Sequence, residues 1–170
     1  ASPVTAPVAS LLIRRNLTAF SKTFIAGGNP RDAIKALRRI RDDGGTFTVD
    51  ILGEAAISET EADAYRDLYL SLVDVLSEEM SSWPVGDAER ERYFPRLNVS
   101  VKLSSLYSRI GPLNSEDSIE RVKERLRPIF RKAREAGGYI HVDMEPTALK
   151  EIVICVVTGR LDKPEFRDWD

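Results

Sequence analysis

The sequence is poor in cysteine, in long apolar runs and in net charge. Its single cysteine, Cys155, excludes an internal disulfide framework and a cysteine-based zinc cluster, and its apolar surroundings predict a buried side chain. The longest apolar run, residues 152–157, is far shorter than the ~20 residues of a membrane-spanning helix. Because 25 basic and 27 acidic residues are interspersed, no overall field favours nucleic acid or an anionic membrane, and we predict no nucleic-acid partner.

What the sequence does contain is the composition of a globular domain. Of its 170 residues, 42% are hydrophobic and 31% are charged, which is too apolar for a disordered chain with a net charge of −2. The length is nevertheless short for a closed barrel, which takes roughly 200 to 250 residues. Since the chain begins with alanine rather than methionine, we expect either that its start was removed or that it is a piece of a longer protein.

The first 45 residues predict an N-terminal arm and a helical segment. Residues 1–10 are small and proline-bearing, without periodic hydrophobicity, whereas apolar residues recur at helical spacing over residues 11–25. Asn29 is expected to cap a second helix that ends at Gly44 and Gly45. We therefore separate this segment from the remainder of the chain.

Residues 46–170 repeat a strand–helix pattern. Segments 46–52, 97–103 and 139–144 have strand character, and each is followed by a helical pattern. Such alternation predicts an α/β fold with parallel strands, either a doubly wound sheet or part of a barrel. No G-x-G-x-x-G motif follows a strand, which favours the barrel. We predict the first three βα units of a (βα)8 TIM-like barrel, preceded by N-terminal helices.

Local signals predict where the helices of this part begin and end. Ser58 and Glu61 form a capping-box pattern, and Ser115 is expected to cap the next helix. Pro128 predicts a kink in that helix, and Gly137 with its following glycine predicts its end.

Charged residues collect at the ends of the predicted strands. Asp50 lies near the end of the first strand with Glu54 just past it, Lys102 lies near the end of the second, and Asp143 and Glu145 end the third. In a parallel barrel these ends share the face that carries catalytic groups. Charges in apolar strands are costly to bury unless they pair with one another or with a ligand.

The residues alone leave two interpretations open. The charges form either a functional site or a structural network in which Lys102 lies between Asp50 and Asp143 without a substrate. Oxygen ligands would suit Mg²⁺ or Mn²⁺, but a lysine among them competes with a cation, so we predict no metal. His141, the only histidine, lies deeper than a mouth residue, and we expect it to pack or to form hydrogen bonds.

Three segments carry a resemblance to a known family. Residues 46–56, 98–106 and 140–145, which include D-x-L-G-E-A and S-V-K-L-S, resemble the first three strands of the proline dehydrogenase family, and in particular its PutA-type flavoenzymes. The resemblance implies a distorted (βα)8 barrel with FAD that oxidises L-proline to Δ1-pyrroline-5-carboxylate and passes electrons to a membrane quinone. It also implies a cytoplasmic location, with peripheral membrane contact left open.

By motif position, the resemblance also implies roles for the charged residues. Lys102 looks like the lysine that meets the proline carboxylate, and Asp143 looks like the aspartate in the polar network beside it. Glu54 is similar to a glutamate that pairs with a substrate-binding arginine and helps close the site, and Asp50 matches an acid without a secure role.

The chain departs from the family in one large respect. It ends before the strands that supply most flavin contacts and before the helix that carries the arginine pair, so no cofactor-binding residue is assigned. The length is therefore interpreted as a truncation. The alternative is a non-catalytic fragment or assembly module with a structural Asp/Lys/Asp cluster and no flavin. In either case the open sheet edges predict self-association of the fragment.

Overall fold

A computed structural model describes residues 25–53, 55–83, 95–144 and 146–161, together with positions 10, 13, 14, 16, 17 and 20. The chain divides into two compact units, Ala1–Gly45 and Thr46–Asp170. In the first unit the described positions 13, 14, 16, 17 and 20 are helical, as the periodicity predicts. Ser10 is helical as well, although it belongs to the predicted arm, and Ile25 is not helical, so the helix differs from the predicted range 11–25 at both ends. The other residues of that predicted helix lie outside the described part of the chain.

The first unit contains helix α1, Pro30–Asp42, and its two ends confirm the predicted signals. The Asn29 side chain accepts a hydrogen bond from a backbone N–H of the first turn at 3.0 Å. At the other end, Gly44 adopts a φ of 81°, a left-handed conformation that only glycine takes without strain. The N–H groups of Gly44 and Gly45 then donate to carbonyls of the last turn, each at 2.8 Å, which closes the helix.

The second unit contains a parallel three-stranded sheet in the order β1-β2-β3. The strands are β1, Val49–Asp50; β2, Asn98–Val101; and β3, Tyr139–Val142. They are shorter than the patterns predict, because the chain leaves the ladder early. After β2, for example, it turns at Lys102 into a 3-10 helix, Leu103–Leu106. The predicted strand order and direction are confirmed.

Three helices follow the three strands and bury their apolar faces against the sheet and each other. They are α2, Glu59–Ser81; α3, Ser115–Glu135; and α4, Lys150–Leu161. Helix α3 packs between α2 and α4. The core is formed by side chains of at most 2% exposure from α2, β2 and α3, among them Leu72, Val73, Leu76, Val99, Val101, Val122 and Ile129. The prediction of consecutive parallel βα units is confirmed.

Two details of the helix ends differ from the prediction. Ser58 accepts the expected bond from the Glu61 N–H at 3.2 Å, but the Glu61 carboxylate accepts from Ile57, one residue before the cap. Ser115 is the first residue of α3 rather than its cap, and Asn114 precedes it without a capping side-chain bond. The helix runs through Pro128 as one element to Glu135.

Helix α4 corrects the prediction for Cys155. The helix turns Ile152, Val153 and Val156 inward, whereas Cys155 is exposed and Ile154 is 44% exposed. A single packed face on α3 covers only part of the helix, so a continuous apolar run cannot be buried throughout. No helix among the described residues combines the length and the apolar character needed to cross a bilayer.

Candidate functional site

The sheet has a buried face and an open face. Side chains alternate along a strand, so Val99 and Val101 of β2 point toward the helices and are fully buried. The other positions, Ser100 of β2 and its register partner His141 of β3, share the opposite face, where Tyr139 is 36% exposed. We call this second side the open face. Polar and charged side chains of the sheet therefore share one side.

At the carboxyl ends of the strands, the open face carries an ion cluster. The Lys102 ammonium lies 2.5 Å from Asp50 Oδ2 and 3.2 Å from Asp143 Oδ2. Asp50 is the last residue of β1, while Lys102 and Asp143 directly follow β2 and β3, so the parallel register itself brings the three together. We call these residues the Lys102 cluster. The lysine side chain is 22% exposed and the two carboxylates are 40% and 43% exposed.

The cluster keeps its lysine charged. Partial burial lowers the pKa of Lys102, but the hydrogen bonds and charges of Asp50 and Asp143 outweigh it, and the net pKa lies above the ordinary 10.5. Lys102 is thus an ammonium throughout the neutral range. With two carboxylates around one ammonium, the cluster has one negative charge in excess. No group of three or more metal-ligating side chains was found in the described part of the chain, and the ammonium lies where a cation would have to bind.

The backbone of Lys102 is also held by side chains. Its N–H donates to the Tyr69 hydroxyl at 3.2 Å, and its carbonyl accepts from the Ser105 hydroxyl at 2.6 Å. Tyr69 lies in the middle of α2 and is only 1% exposed. Burial raises the pKa of Tyr69 above its ordinary value, so the phenol is neutral. Sequence reasoning assigned neither residue to the site, because Tyr69 belongs to no motif and Ser105 has no predicted role within the family-like segment 98–106.

A second polar network joins α2 to α3 and to the loop after β2. Arg125 donates to Glu59 at 2.8 Å, to Asp63 at 2.9 Å and to the carbonyl of Leu106 at 3.1 Å. Ser108 donates to Glu59 through its hydroxyl at 2.5 Å and through its N–H at 3.2 Å. These Ser108 bonds, opposed by partial burial and helped by Arg125, lower the pKa of Glu59. With a side chain only 14% exposed, Arg125 is not the solvated surface residue that its charged surroundings suggest.

The other candidate residues have different positions. Glu54 lies outside the described residues, and so does Glu145. His141 is exposed on the open face, and its ring meets Tyr139 edge-to-face at a centroid distance of 4.8 Å. The structure therefore brings together Lys102 and its two aspartates, and it places the histidine on the same face but two residues deeper.

Parallel βα units with a charged cluster at their carboxyl ends match one part of a βα barrel, and comparison with known proteins gives the family. A family model described as proline dehydrogenase matches residues 33–170. The chain belongs to the proline dehydrogenase family.

Individual relatives agree with this assignment. The bifunctional protein PutA of Escherichia coli is 25% identical over 148 residues, which cover 86% of this chain and 10% of that protein. A proline dehydrogenase of Deinococcus radiodurans is 28% identical over 139 residues, which cover 82% of this chain and 39% of that protein. The chain thus spans about a tenth of the length of the PutA relatives it matches.

A solved structure shows the same fold. The crystal structure of proline utilization A from Bdellovibrio bacteriovorus, inactivated by N-propargylglycine, superimposes with a TM-score of 0.88 at 36% identity. The match covers 96% of this chain and 17% of that one. The three βα units described above therefore match part of the fold of that PutA protein.

Proposed function

We propose that this chain supplies the substrate-binding end of an FAD-dependent proline dehydrogenase, which oxidises L-proline to Δ1-pyrroline-5-carboxylate in proline catabolism. The observation that carries the proposal is the Lys102 cluster at the strand ends, in a chain whose family is proline dehydrogenase. Residues 1–45 would precede the barrel, and residues 46–170 would form its first part.

The charges of the Lys102 cluster complement a zwitterionic amino acid. An ammonium has three N–H donors, and Asp50 and Asp143 take two of them. We propose that the third donor binds the proline carboxylate in a charge-assisted hydrogen bond. The excess negative charge would meet the ring ammonium of proline. A simple anion lacks that second charge and would be repelled by the carboxylates.

Oxidation removes two electrons and two protons from the ring nitrogen and the carbon beside it. We propose that Lys102 and Asp143 fix the orientation of that C–N bond by holding the carboxylate and the ring ammonium. Asp50 would keep the lysine in place, because it makes the shorter ion pair. Glu54 would help close the site over proline, as the family resemblance implies.

The flavin would be held by other residues. Among the described residues, the buried side-chain polar atom without a hydrogen-bond partner is Asn98 Oδ1. It lies at the start of β2, roughly 13 Å along the strand from Lys102, which is too far to act beside the same proline ring. We therefore assign no flavin-binding role to the described residues.

The remaining partners follow from the same proposal. FAD, when bound, would supply the acceptor for the two electrons removed from proline, and a quinone would be the final electron acceptor. The full-length protein would be cytoplasmic, with peripheral membrane contact. Neither nucleic acid nor a metal ion has a part in this function.

The test is Lys102→Ala in the flavin-loaded protein that contains this chain. Loss of one charge-assisted hydrogen bond should raise the KM for proline by about tenfold to a hundredfold. The matched control is Lys132→Ala, which removes a surface lysine paired with Asp74 at 2.6 Å and should leave the KM unchanged. An unchanged KM in Lys102→Ala would remove Lys102 from the substrate site.

The alternative is a non-catalytic module in which the Lys102 cluster is only structural. It is favoured by the fact that both carboxylates already pair with the lysine. The enzyme and the non-catalytic module predict different behaviour of the isolated chain. The two measurements are its flavin absorption spectrum and its proline-dependent reduction of a dye. A colourless chain without dye reduction would support the module for this chain alone, and the Lys102→Ala measurement in the flavin-loaded protein decides the role of the cluster.

A further inference from the structure

We propose that Tyr69 is a positioning residue for Lys102, acting through the lysine backbone. The inference rests on the proposed role of Lys102 in binding proline. The Tyr69 hydroxyl accepts the Lys102 N–H at 3.2 Å, while the Ser105 hydroxyl and N–H bond the Lys102 carbonyl at 2.6 and 3.2 Å. Both polar groups of one peptide residue are therefore fixed by partners outside the sheet.

Lys102 needs such partners because the ladder ends just before it. The last ladder contact at this end is the Asp143 N–H, which donates to the Val101 carbonyl at 2.9 Å. Lys102 itself is still extended, with φ −91° and ψ 121°, and the chain then coils into the 3-10 helix. Without these two partners, the N–H and C=O groups of Lys102 would have no hydrogen bond, and unpaired backbone groups are costly where they are buried.

Tyr69 is suited to this task by its place in α2. It is 1% exposed, and it lies ten residues into a 23-residue helix that is anchored at its start by Ser58. A buried phenol is unfavourable unless its hydroxyl is bonded, so packing alone would be met equally well by phenylalanine. The Lys102 N–H is a bond partner for that hydroxyl, and it ties the strand end to the centre of the helix.

The consequence for the site is the position of the ammonium. A lysine side chain has four rotatable bonds, and the positions that its ammonium can occupy depend on the position of the Lys102 backbone. The Lys102–Asp143 contact is 3.2 Å against 2.5 Å for Asp50, so a small shift of the strand end would lose the Asp143 contact first. Displacements of about 1 Å are enough to weaken a substrate site considerably.

The experiment is a double-mutant cycle on the KM for proline in the flavin-loaded protein. Tyr69→Phe keeps the ring and removes the hydroxyl, and it should raise the KM by about threefold to tenfold with a smaller change in kcat. In a Lys102→Ala background the same substitution should change the KM by less than about twofold, because the group being positioned is gone. A merely structural tyrosine would act equally in both backgrounds.

The matched control is Tyr107→Phe, a second buried tyrosine at 1% exposure whose hydroxyl bonds Asp117 and does not contact Lys102. It should leave the KM unchanged. If Lys102→Ala raises the KM but Tyr69→Phe does not, or raises it by the same factor with and without Lys102, the positioning role is wrong and the proposed function stands. If Lys102→Ala leaves the KM unchanged, the proposed function itself fails.

Discussion

At the scale of single residues, Lys102 shows how two opposed effects set one charge. Burial favours the neutral amine, and the neighbouring carboxylates favour the ammonium and prevail, so the pKa of Lys102 lies above 10.5. The pKa of Lys102 is higher in the folded chain than in the unfolded chain. The stabilisation that its ion pairs with Asp50 and Asp143 contribute is therefore complete below pH 10.5, and it is lost only as the pH rises through the folded pKa. Activity and stability should therefore show no Lys102 titration near neutral pH.

A direct measurement of this charge is the NMR titration of the lysine Cε signals. We expect Lys102 to titrate above pH 10.5. In Asp50→Asn the midpoint should move down, because the shorter of the two ion pairs is lost while burial remains. Titration of Lys102 below pH 10.5 in the unsubstituted chain would contradict the role assigned to the carboxylates.

Glu59 gives a prediction of the opposite sign. Its pKa is lowered below the ordinary 4.5, mainly by Ser108, so its stabilisation is present above pH 4.5 and is lost as pH falls through the folded value. Glu59→Gln should reduce the free energy of unfolding by about 1 kcal/mol at pH 7, a modest value for a side chain that is 43% exposed. The difference from the unsubstituted chain should shrink as the pH falls below 4.5 and through the folded pKa.

Urea unfolding at a series of pH values measures this difference. The control is Glu120→Gln, which changes a glutamate that is 69% exposed and should alter stability little at any pH. A gap between Glu59→Gln and the unsubstituted chain that stays constant from pH 7 to pH 3 would show that the carboxylate charge of Glu59 is not the cause.

The sequence predicts some site residues and not others for a physical reason. Asp50, Lys102 and Asp143 could be identified because each interrupts an apolar strand pattern at its carboxyl end, and parallel strands align those ends. Tyr69 and Arg125 could not, since their partners lie 33 and 62 residues away along the chain and depend on how the helices pack. Their own surroundings look like ordinary helix positions.

At the scale of secondary-structure elements, Arg125 ties two helices and a loop together. It contacts Glu59 and Asp63 of α2 and the Leu106 carbonyl of the 3-10 helix. Arg125→Met should lower the free energy of unfolding by about 2 kcal/mol, because the Leu106 carbonyl loses this partner and the carboxylates of Glu59 and Asp63 each lose one of their partners. Thermal unfolding gives the measurement.

A lysine should not replace this arginine. The planar guanidinium of arginine presents its N–H donors to three acceptors at once, whereas the ammonium of lysine lacks this geometry. Arg125→Lys should therefore retain less than half of the stability that Arg125→Met loses. Arg121→Met, at 54% exposure on the same helix, should be nearly neutral. Equal effects of Arg125→Met and Arg121→Met would contradict the special role of this contact set.

Element boundaries were predicted well where a local bond determines them. Asn29 caps α1 and the glycine pairs end α1 and α3, because the groups involved are a few residues apart. Strand lengths were overestimated, since β-branched residues continue past the last ladder pair, as in the two-residue β1. Ladder pairing depends on the neighbouring strand, which a local pattern does not contain.

At the scale of the whole molecule, the order of parallel βα units follows from the alternation of periods along the chain. In the described part of the sheet, β1 and β3 are the two edges. The N–H groups of Tyr139, at the start of β3, and of Asp143, directly after it, donate inward to carbonyls of Leu97 and Val101. Because successive groups of a strand point to opposite sides, the N–H groups of Ile140 and Val142 point to the free edge.

A free edge of this kind pairs with other chains, so the isolated chain should self-associate. Size-exclusion chromatography with light scattering, at two concentrations that differ about tenfold, should give a mass above the 19.1 kDa monomer that rises with concentration.

Val142→Pro removes an outward N–H without removing a bond to β2, so it should reduce the association while the fold is kept. His141→Pro is the contrasting variant, since its N–H lies on the inward side, and it should destabilise the sheet itself. A clean monomer at both concentrations would refute the prediction, and association that Val142→Pro leaves unchanged would exclude the β3 edge as its cause.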